Sequence, residues 1–304
     1  MSHRAKITMD CQLSTTNSNR FADCLGSHIP TIGGAPCAID RAVEIGCTAM
    51  QIFVKNNMQW FAKPLTSEQI TAFTHHPLRS RLGAVIAHAG YLINLAVEGS
   101  ENHEKSLRSL SEELTRCEQW EIPFLVLHPG AHLGAGTAHG IRCVVKSLNH
   151  IHHHHPHSKT CIALETTAGQ GTTLGASFEE IAKILNHVKS PERLRVCLDT
   201  AHVFAAGYDL SAPKGAEKTF AHFEEIIGLK NLCALHINES KAALGSHVDR
   251  HENLGQGKIG LDAFRWMMQS LELTAIPKIL ETPKGKDLAE DVAAMKLLRS
   301  FIAV

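Results

Sequence analysis

Eight short apolar runs recur along this chain at intervals of roughly 35 to 45 residues, and they constrain its fold more than any other feature. They are Asp23 to His28, Ala49 to Val54, Gly83 to His88, Phe124 to His128, Cys161 to Glu165, Arg195 to Asp199, Cys233 to His236 and Lys278 to Glu281. Each is too short for a helix, and the lack of polar alternation marks strands covered on both faces. Amphipathic segments lie between them. Leu107, Leu110, Leu114 and Cys117 put an apolar stripe on one, and Phe178, Ile181, Leu185 and Val188 do so on another. Ser177 with Glu180, and Thr66 with Gln69, have the spacing of capping boxes at helix starts. Strand and helix in alternation predict an α/β fold, a (β/α)8 TIM barrel in a single domain over residues 23–304, with an open doubly wound sheet as the alternative. A length of 304 residues with 44% hydrophobic content suffices for one such core.

The placement of ionisable residues separates the two architectures. His88, His128, Glu165, Asp199, His236 and Glu281 each close one of the runs, and barrel enzymes gather their chemistry at the C-terminal ends of strands. Barrel closure brings all six to one rim. A single strand-end histidine or carboxylate is most often a hydrogen-bonded core residue, but six buried in phase are heavily unfavourable unless cations neutralise them. Asp199-Thr-Ala-His202 sets a second histidine just past a strand end, and Asp249-Arg-His251 adds carboxylate and imidazole in a loop after His236. Imidazole and carboxylate without thiolate suit Zn²⁺, Mn²⁺ or Fe²⁺, with zinc favoured by the several imidazoles. Nine candidates exceed the needs of one ion; three ions fit better, with a carboxylate such as Glu165 bridging two of them. Paired cations about 4 Å apart clamp a phosphodiester and stabilise a leaving alkoxide, so phosphoryl transfer is the natural reaction. Metal-assisted sugar isomerisation stays open, because those barrels also carry histidines and carboxylates on their rims. It has no evident use for a third group built from His202, Asp249 and His251.

The segments GSHIPTIGG (26–34), HAGYLINL (88–95), LHPGAHLG (127–134) and ETTAGQGTTLG (165–175) closely resemble signature segments of the bacterial endonuclease IV family, also termed AP endonuclease family 2. So do CLDTAHVFAAGYDL (197–210), ALHINESK (234–241), GSHVDRHENLGQGKIG (245–260) and ILET (279–282), in order and with compatible spacing. The resemblance implies a zinc-dependent DNA-repair hydrolase, acting in base excision repair, that cuts duplex DNA on the 5′ side of abasic sites. Its products are a 3′-hydroxyl and a 5′-deoxyribose phosphate, and blocked 3′ ends are also trimmed. Three zinc sites are implied, with Mn²⁺ or Fe²⁺ as an alternative at one of them. His88, His128 and Glu165 hold the first; Glu165, bridging, holds the second with Asp199, His236 and Glu281; His202, Asp249 and His251 hold the third. Glu165 and Glu281 are thereby also the catalytic carboxylates. The family flips the abasic sugar out of the stack, which is cheapest where a base is already missing. Tyr91 and Leu92 match the loop that does this, beside Lys55, Asn56, Met58 and Gln59. Many relatives carry an arginine at the position of Met58, so the wedge is apolar here. Lys55, Lys241 and Arg250 are placed to touch phosphates, although loop lysines are by default solvated surface. The implied partner is duplex DNA with abasic sites, and the protein is expected to be a monomer with no obligate protein partner.

Lys+Arg and Asp+Glu both stand at 30, so the whole molecule exerts little long-range pull on a polyanion. DNA contact then falls to a local surface and to the charge of bound ions. The nine cysteines, from Cys11 to Cys233 with no C-x-x-C pair, read as reduced buried thiols and predict a cytoplasmic location. Residues 1–22, with a polar run from Ser14 to Asn19, lack the apolar stretch of a secretion signal and predict a disordered tail or a mis-set start. No run approaches the roughly 18 apolar residues of a membrane span. Gly255-Gln-Gly257-Lys-Ile-Gly260 fits the dinucleotide fingerprint but follows a polar loop, so it is expected to pack around Asp249 and His251. Gly169-Gln-Gly171 reads as a rim loop. The histidines from His152 to His155, with His157, precede a strand and fall on the N-terminal face, away from catalysis. His28 closes the first run but is left outside the ligand set as a hydrogen-bonding residue.

Overall fold

The structure is a computed structural model and describes residues 23–302. The tail expected over residues 1–22, and Cys11 within it, lie outside the described residues. In chain order the elements are β1 (Leu25–His28), α1 (Ala35–Glu44), β2 (Ala49–Phe53), α2 (Ser67–Thr74), β3 (Ala84–His88) and α3 (Glu101–Gln119). Next come β4 (Phe124–Leu127), α4 (Thr137–His154), β5 (Cys161–Glu165), α5 (Phe178–His187), β6 (Leu194–Asp199), α6 (Thr200–Ala206), α7 (Pro213–Ile226) and β7 (Leu232–His236). A ribbon of β8 (Glu239–Ser240) and β9 (His251–Glu252) precedes α8 (Leu261–Gln269), β10 (Lys278–Leu280) and α9 (Ala289–Ser300). Strands β1 to β7 and β10 are parallel and close into a barrel in the order β1-β10-β7-β6-β5-β4-β3-β2, while β8 and β9 pair antiparallel outside it. The expected (β/α)8 barrel is therefore the fold, and the open sheet is excluded.

The lack of alternation in the strands has a direct cause: both faces are buried, against different partners. Outward residues such as Val85, Leu125, Leu127 and Leu198 pack with the helices, where Leu110, Leu114 and Cys117 of α3 are fully covered. Each large apolar side chain buried in this way contributes roughly 1.5–3 kcal/mol. Inward residues form a separate cluster that fills the barrel with mostly small side chains, among them Ala49, Ala84, Ile86, Val126, Ala163 and Ala234. Gly26 belongs to this tight packing, since a Cβ there would sit 1.7 Å from the Ala49 carbonyl oxygen. Side chains in a strand repeat every second residue. The inward series Ala84, Ile86, His88 and Cys161, Ala163, Glu165 thus run from apolar filling to ionisable rim, and Ile279 is followed in the same way by Glu281. His128 and Glu281 lie one residue beyond the ends of β4 and β10 but keep this inward register.

Of three local expectations, one holds and two are corrected. Thr66 and Gln69 do form a complete capping box at α2. At α5 only half of one forms: Ser177 accepts from the Glu180 N–H, but the Glu180 carboxylate overshoots the N-cap and takes the N–H groups of Gly175 at 2.8 Å and Ala176 at 3.2 Å. The Gly255–Gly260 loop wraps a different group from the one expected. The buried Glu239 carboxylate accepts from the N–H groups of Gly255, Ile259 and Gly260 at 3.3, 2.7 and 3.1 Å. The loop does cradle an anion with backbone N–H groups, as a phosphate-binding loop does, but the anion is the protein's own. A Cβ at Gly257 would lie 2.4 Å from that side chain, which accounts for the second glycine.

Candidate metal centre

Glu165 is the hub of the barrel mouth. Its side chain is fully buried at the end of β5 and meets four imidazoles. His88 Nε2 and His128 Nε2 lie 3.0 and 3.1 Å from Oε2, and His236 Nδ1 and His202 Nδ1 lie 2.9 and 3.4 Å from Oε1. Glu281 Oε2 is 3.1 Å from the same His236 Nδ1. Asp199 plays two parts. Its Oδ1 caps α6 by accepting the His202 N–H at 2.9 Å, and its Oδ2 lies 3.8 Å from His236 Nδ1 and 3.7 Å from His251 Nε2. Asp249 faces both outer imidazoles, His202 Nε2 at 3.2 Å and His251 Nε2 at 3.5 Å.

Donor atoms fall into three overlapping groups, each with its members within 4.8 Å of one another: His88, His128 and Glu165; Glu165, Asp199, His236 and Glu281; and Asp199, His202 and His251. All nine residues singled out from the sequence meet at one rim. The third group differs from expectation in one respect: Asp199 joins His202 and His251 in the tight set, and Asp249 contacts those two imidazoles from the loop before β9.

The hydrogen bonds behind these imidazoles test whether cations belong there. His88 Nδ1 donates to the Ala89 carbonyl at 2.7 Å, His202 Nδ1 to Thr166 O at 2.9 Å, His251 Nδ1 to Glu281 O at 3.2 Å, and His236 Nε2 to Gln51 Oε1 at 2.9 Å. With those N–H groups used outward, the opposite nitrogen of each ring presents a lone pair towards carboxylates. Lone pair against carboxylate repels unless a proton or a metal ion stands between them. The His251 Nε2 atom is buried without a hydrogen-bond partner. Electrostatics point the same way. Burial disfavours the charged form of His236 and His202, yet Cys197 and the Glu281 and Glu165 carboxylates around the first, and the Asp199, Asp249 and Glu165 carboxylates around the second, outweigh it and hold both well above the ordinary imidazole value. Burial likewise opposes ionisation of Glu165 and Glu281, and the facing histidines override it and hold both well below the usual carboxylate range. The pocket calls for positive charge, and hard oxygen with imidazole nitrogen suits zinc-class divalent ions.

A supporting layer was not read from the sequence. Gln51 Nε2 donates to Glu281 Oε1 at 2.6 Å while its Oε1 holds His236. Asn238 Nδ2 donates to Asp199 Oδ2 at 2.6 Å and its Oδ1 accepts the Glu281 N–H at 2.7 Å. Gln51 follows Ala49 on the same inward register that marks His88 and Glu165, so extending that count to β2 would have found it. His28 lies 3.0 Å from Glu281 Oε1 through Nδ1, which agrees with a hydrogen-bonding place beside the ligand set.

The two loops expected to meet DNA stand together at the rim. Met58 and Tyr91 are 63% and 61% exposed, and Leu92 is half-buried. Tyr91 N–H bonds to the Asn57 carbonyl at 3.1 Å, and its ring packs edge-on against Phe53. Asn56 Oδ1 accepts the Met58 N–H at 2.9 Å and fixes the turn, while Gln59 and Arg250 are exposed. A cleft lined by His88, Tyr91, Asn94, His128 and Thr173 runs away beside the cluster. Lys55 requires a correction. Its ammonium turns inward, 2.8 Å from Glu113 Oε1 and 2.6 Å from the Gln59 carbonyl, with both charged side chains almost fully buried. It is a strut, with no reach to a phosphate. Glu113 in turn accepts the Gly90 N–H at 3.0 Å, so this one pair from α3 and the end of β2 ties both loops down.

A closed parallel barrel with a shared His/Asp/Glu cluster on its C-terminal rim places the molecule among the xylose isomerase-like TIM barrels, and the family model of that description matches residues 39–300. A "probable endonuclease 4" of Chloroflexus aurantiacus is 44% identical over 277 residues, covering 91% of this chain and 97% of that protein. Another, of Trichlorobacter lovleyi, is 41% identical and covers 92% of this chain and 100% of its own. The chain belongs to the endonuclease IV family. Endonuclease IV of Thermus thermophilus superposes with a TM-score of 0.79 at 33% identity, covering 92% of this chain and 98% of that one. A D-tagatose 3-epimerase-like protein superposes at 0.68 with 16% identity, a likeness of fold alone.

Proposed function

We propose that this protein is a DNA-repair endonuclease that hydrolyses the phosphodiester 5′ to abasic sites in duplex DNA, leaving a 3′-hydroxyl and a 5′-deoxyribose phosphate, and that it also trims blocked 3′ ends. The observation that carries the reading is the sharing of one buried carboxylate, Glu165, by four imidazoles at 2.9 to 3.4 Å in a chain of the endonuclease IV family. His88, His128, Glu165, Asp199, His202, His236, Asp249, His251 and Glu281 would together hold three zinc ions. When bound, those ions supply Lewis-acid neutralisation of the phosphate and of the charge on the leaving oxygen.

The chain's own residues prepare the rest. Glu165 offers an oxygen to each side of the cluster, and Gln51 and Asn238 hold Glu281 and Asp199 in fixed orientations. Tyr91 and Met58 project from tied-down loops beside the mouth, where they can fill a gap left in a base stack. Among the described residues every cysteine is a free thiol and no helix is long and apolar enough to cross a membrane. Free thiols support a reducing, cytoplasmic setting for a monomeric enzyme.

A labelled duplex carrying one abasic analogue, incubated with and without chelator, tests the proposal. Chelator-sensitive incision on the 5′ side with a 3′-hydroxyl product supports it, together with about three metal ions per chain on quantification. An intact duplex after incubation with fully metallated protein overturns it. Sugar isomerisation with no incision would favour the epimerase-like branch of the fold.

A further inference from the structure

A second set of metal donors lies outside the barrel mouth. Glu98 stands in the loop from β3 to α3, the same loop that begins with Tyr91 and Leu92, and His139 and Cys143 lie one turn apart on α4. One ligand atom from each falls within 4.8 Å of the others, and His139 Nε2 is 3.3 Å from Cys143 Sγ. Cys143 is buried, His139 half-buried and Glu98 exposed, so the set is open to an ion from solvent. A thiol–imidazole hydrogen bond alone would account for two of the residues. It does not account for the third, which is held here by a cation. The Glu98 carboxylate is brought to this pair from a separate segment and there meets a cation, Lys146 Nζ at 2.5 Å from Oε2. The carboxylate already holds a positive charge, and sulfur and nitrogen donors lie within 4.8 Å of it.

We propose that Glu98, His139 and Cys143 form a peripheral site for a thiophilic divalent ion of the zinc or cadmium class, which displaces the Lys146 ammonium from Glu98 and fastens the Tyr91 loop to α4. Mixed sulfur, nitrogen and oxygen donors select such ions over magnesium and calcium. Three protein ligands leave a coordination position for water, which suits an exchangeable site. Binding deprotonates the thiol and releases a proton. None of the nine rim donors is a thiol and the Cys197 thiol beside His236 is fully buried, so a sulfur-to-metal signal that depends on Cys143 reports on this site separately from the candidate metal centre.

Cadmium ion alone is the probe, titrated into the metal-loaded protein and followed by thiolate-to-cadmium charge-transfer absorption and by cadmium bound per chain. One cadmium per chain with a saturating band is expected, and the band should vanish in Cys143→Ser. Glu98→Gln, an exposed change, should shift the titration by about tenfold to higher cadmium. Lys146→Met should shift it to lower cadmium by removing the competing ammonium. No band in the parent, an unaltered band in Cys143→Ser, or identical titrations for parent and Glu98→Gln would each overturn the site. If Cys143→Ser fails to fold, the Glu98→Gln titration decides alone, and its coincidence with the parent overturns the site.

Discussion

The buried Glu165 carboxylate concentrates the consequences of single substitutions. It is shared by His88, His128, His202 and His236, so losing its charge disturbs four imidazoles at once. Glu165→Gln keeps the volume but removes the charge, and kcat should fall on the order of 10³-fold, with far-UV circular dichroism unchanged because the apolar filling of the barrel lies below it. Incision at the parent rate would remove Glu165 from the mechanism. Met58 offers a subtler test. Its apolar side chain is 63% exposed on the loop that packs against Tyr91. Met58→Arg should change the relative kcat/KM for duplexes with different bases opposite the abasic site, and identical profiles would show that the wedge does not read that base. The residues that gather at the rim were largely legible in the sequence, since His88, His128, Glu165, Asp199, His236 and Glu281 close strands or follow them directly, His202 lies one turn beyond, and only Asp249 and His251 come from a longer loop. Asp199 was harder, because its second contact, with His251, depends on where the β9 ribbon folds back.

Between elements, the Lys55–Glu113 pair shows how buried charge can position loops. Glu113→Ala would strand a buried ammonium and remove the acceptor of the Gly90 N–H, at an expected cost of about 3–5 kcal/mol in thermal unfolding. The double change Lys55→Met with Glu113→Leu should recover most of that stability. It should still raise KM for abasic DNA while metal content stays at the parent value, because the Gly90 N–H and the Gln59 carbonyl remain unheld. A double variant with the parental KM would reduce the pair to a packing feature. The histidines ending α4 behave differently. His152 is buried against Arg193, and burial first, then the arginine charge, lowers its pKa to about 4. Its ordinary value in the unfolded chain is higher, so the unfolded chain binds the extra proton as pH falls, and stability is lost between about pH 6.5 and 4. His152→Leu should flatten the melting temperature over that window, and an unaltered slope would count against this origin. The position of these histidines on the N-terminal face followed from chain order alone. The half-formed capping box at α5 did not, because the Glu180 side chain had a choice of nearby N–H groups that only the folded rim loop presents.

For the whole molecule, metal binding and stability should be coupled, since a site that exists only when the barrel is closed draws its binding energy from folding. Stripping the metal should lower the melting temperature by roughly 5–10 °C, with the barrel retained by circular dichroism, and zinc should restore it. A melting curve indifferent to chelation would mean that the rim carboxylates and imidazoles neutralise one another without ions. Equal totals of acidic and basic residues leave the attraction for DNA to this local charge. The amino-acid sequence by itself determined the strands and helices, because strands covered on both faces are mostly apolar without alternation and the helices between them carry one apolar stripe, and the ionisable residues closing the strands favoured the barrel over an open sheet. It determined the rim cluster as well, because the inward register of a strand has a fixed period of two and its last member faces the mouth. Only the tertiary structure decided that Lys55 points inward to Glu113, that Glu239 fills the glycine loop, and that Gln51 and Asn238 brace the donors. Those are pairings between residues whose separation along the chain follows no period, so they exist only once closure brings their elements face to face.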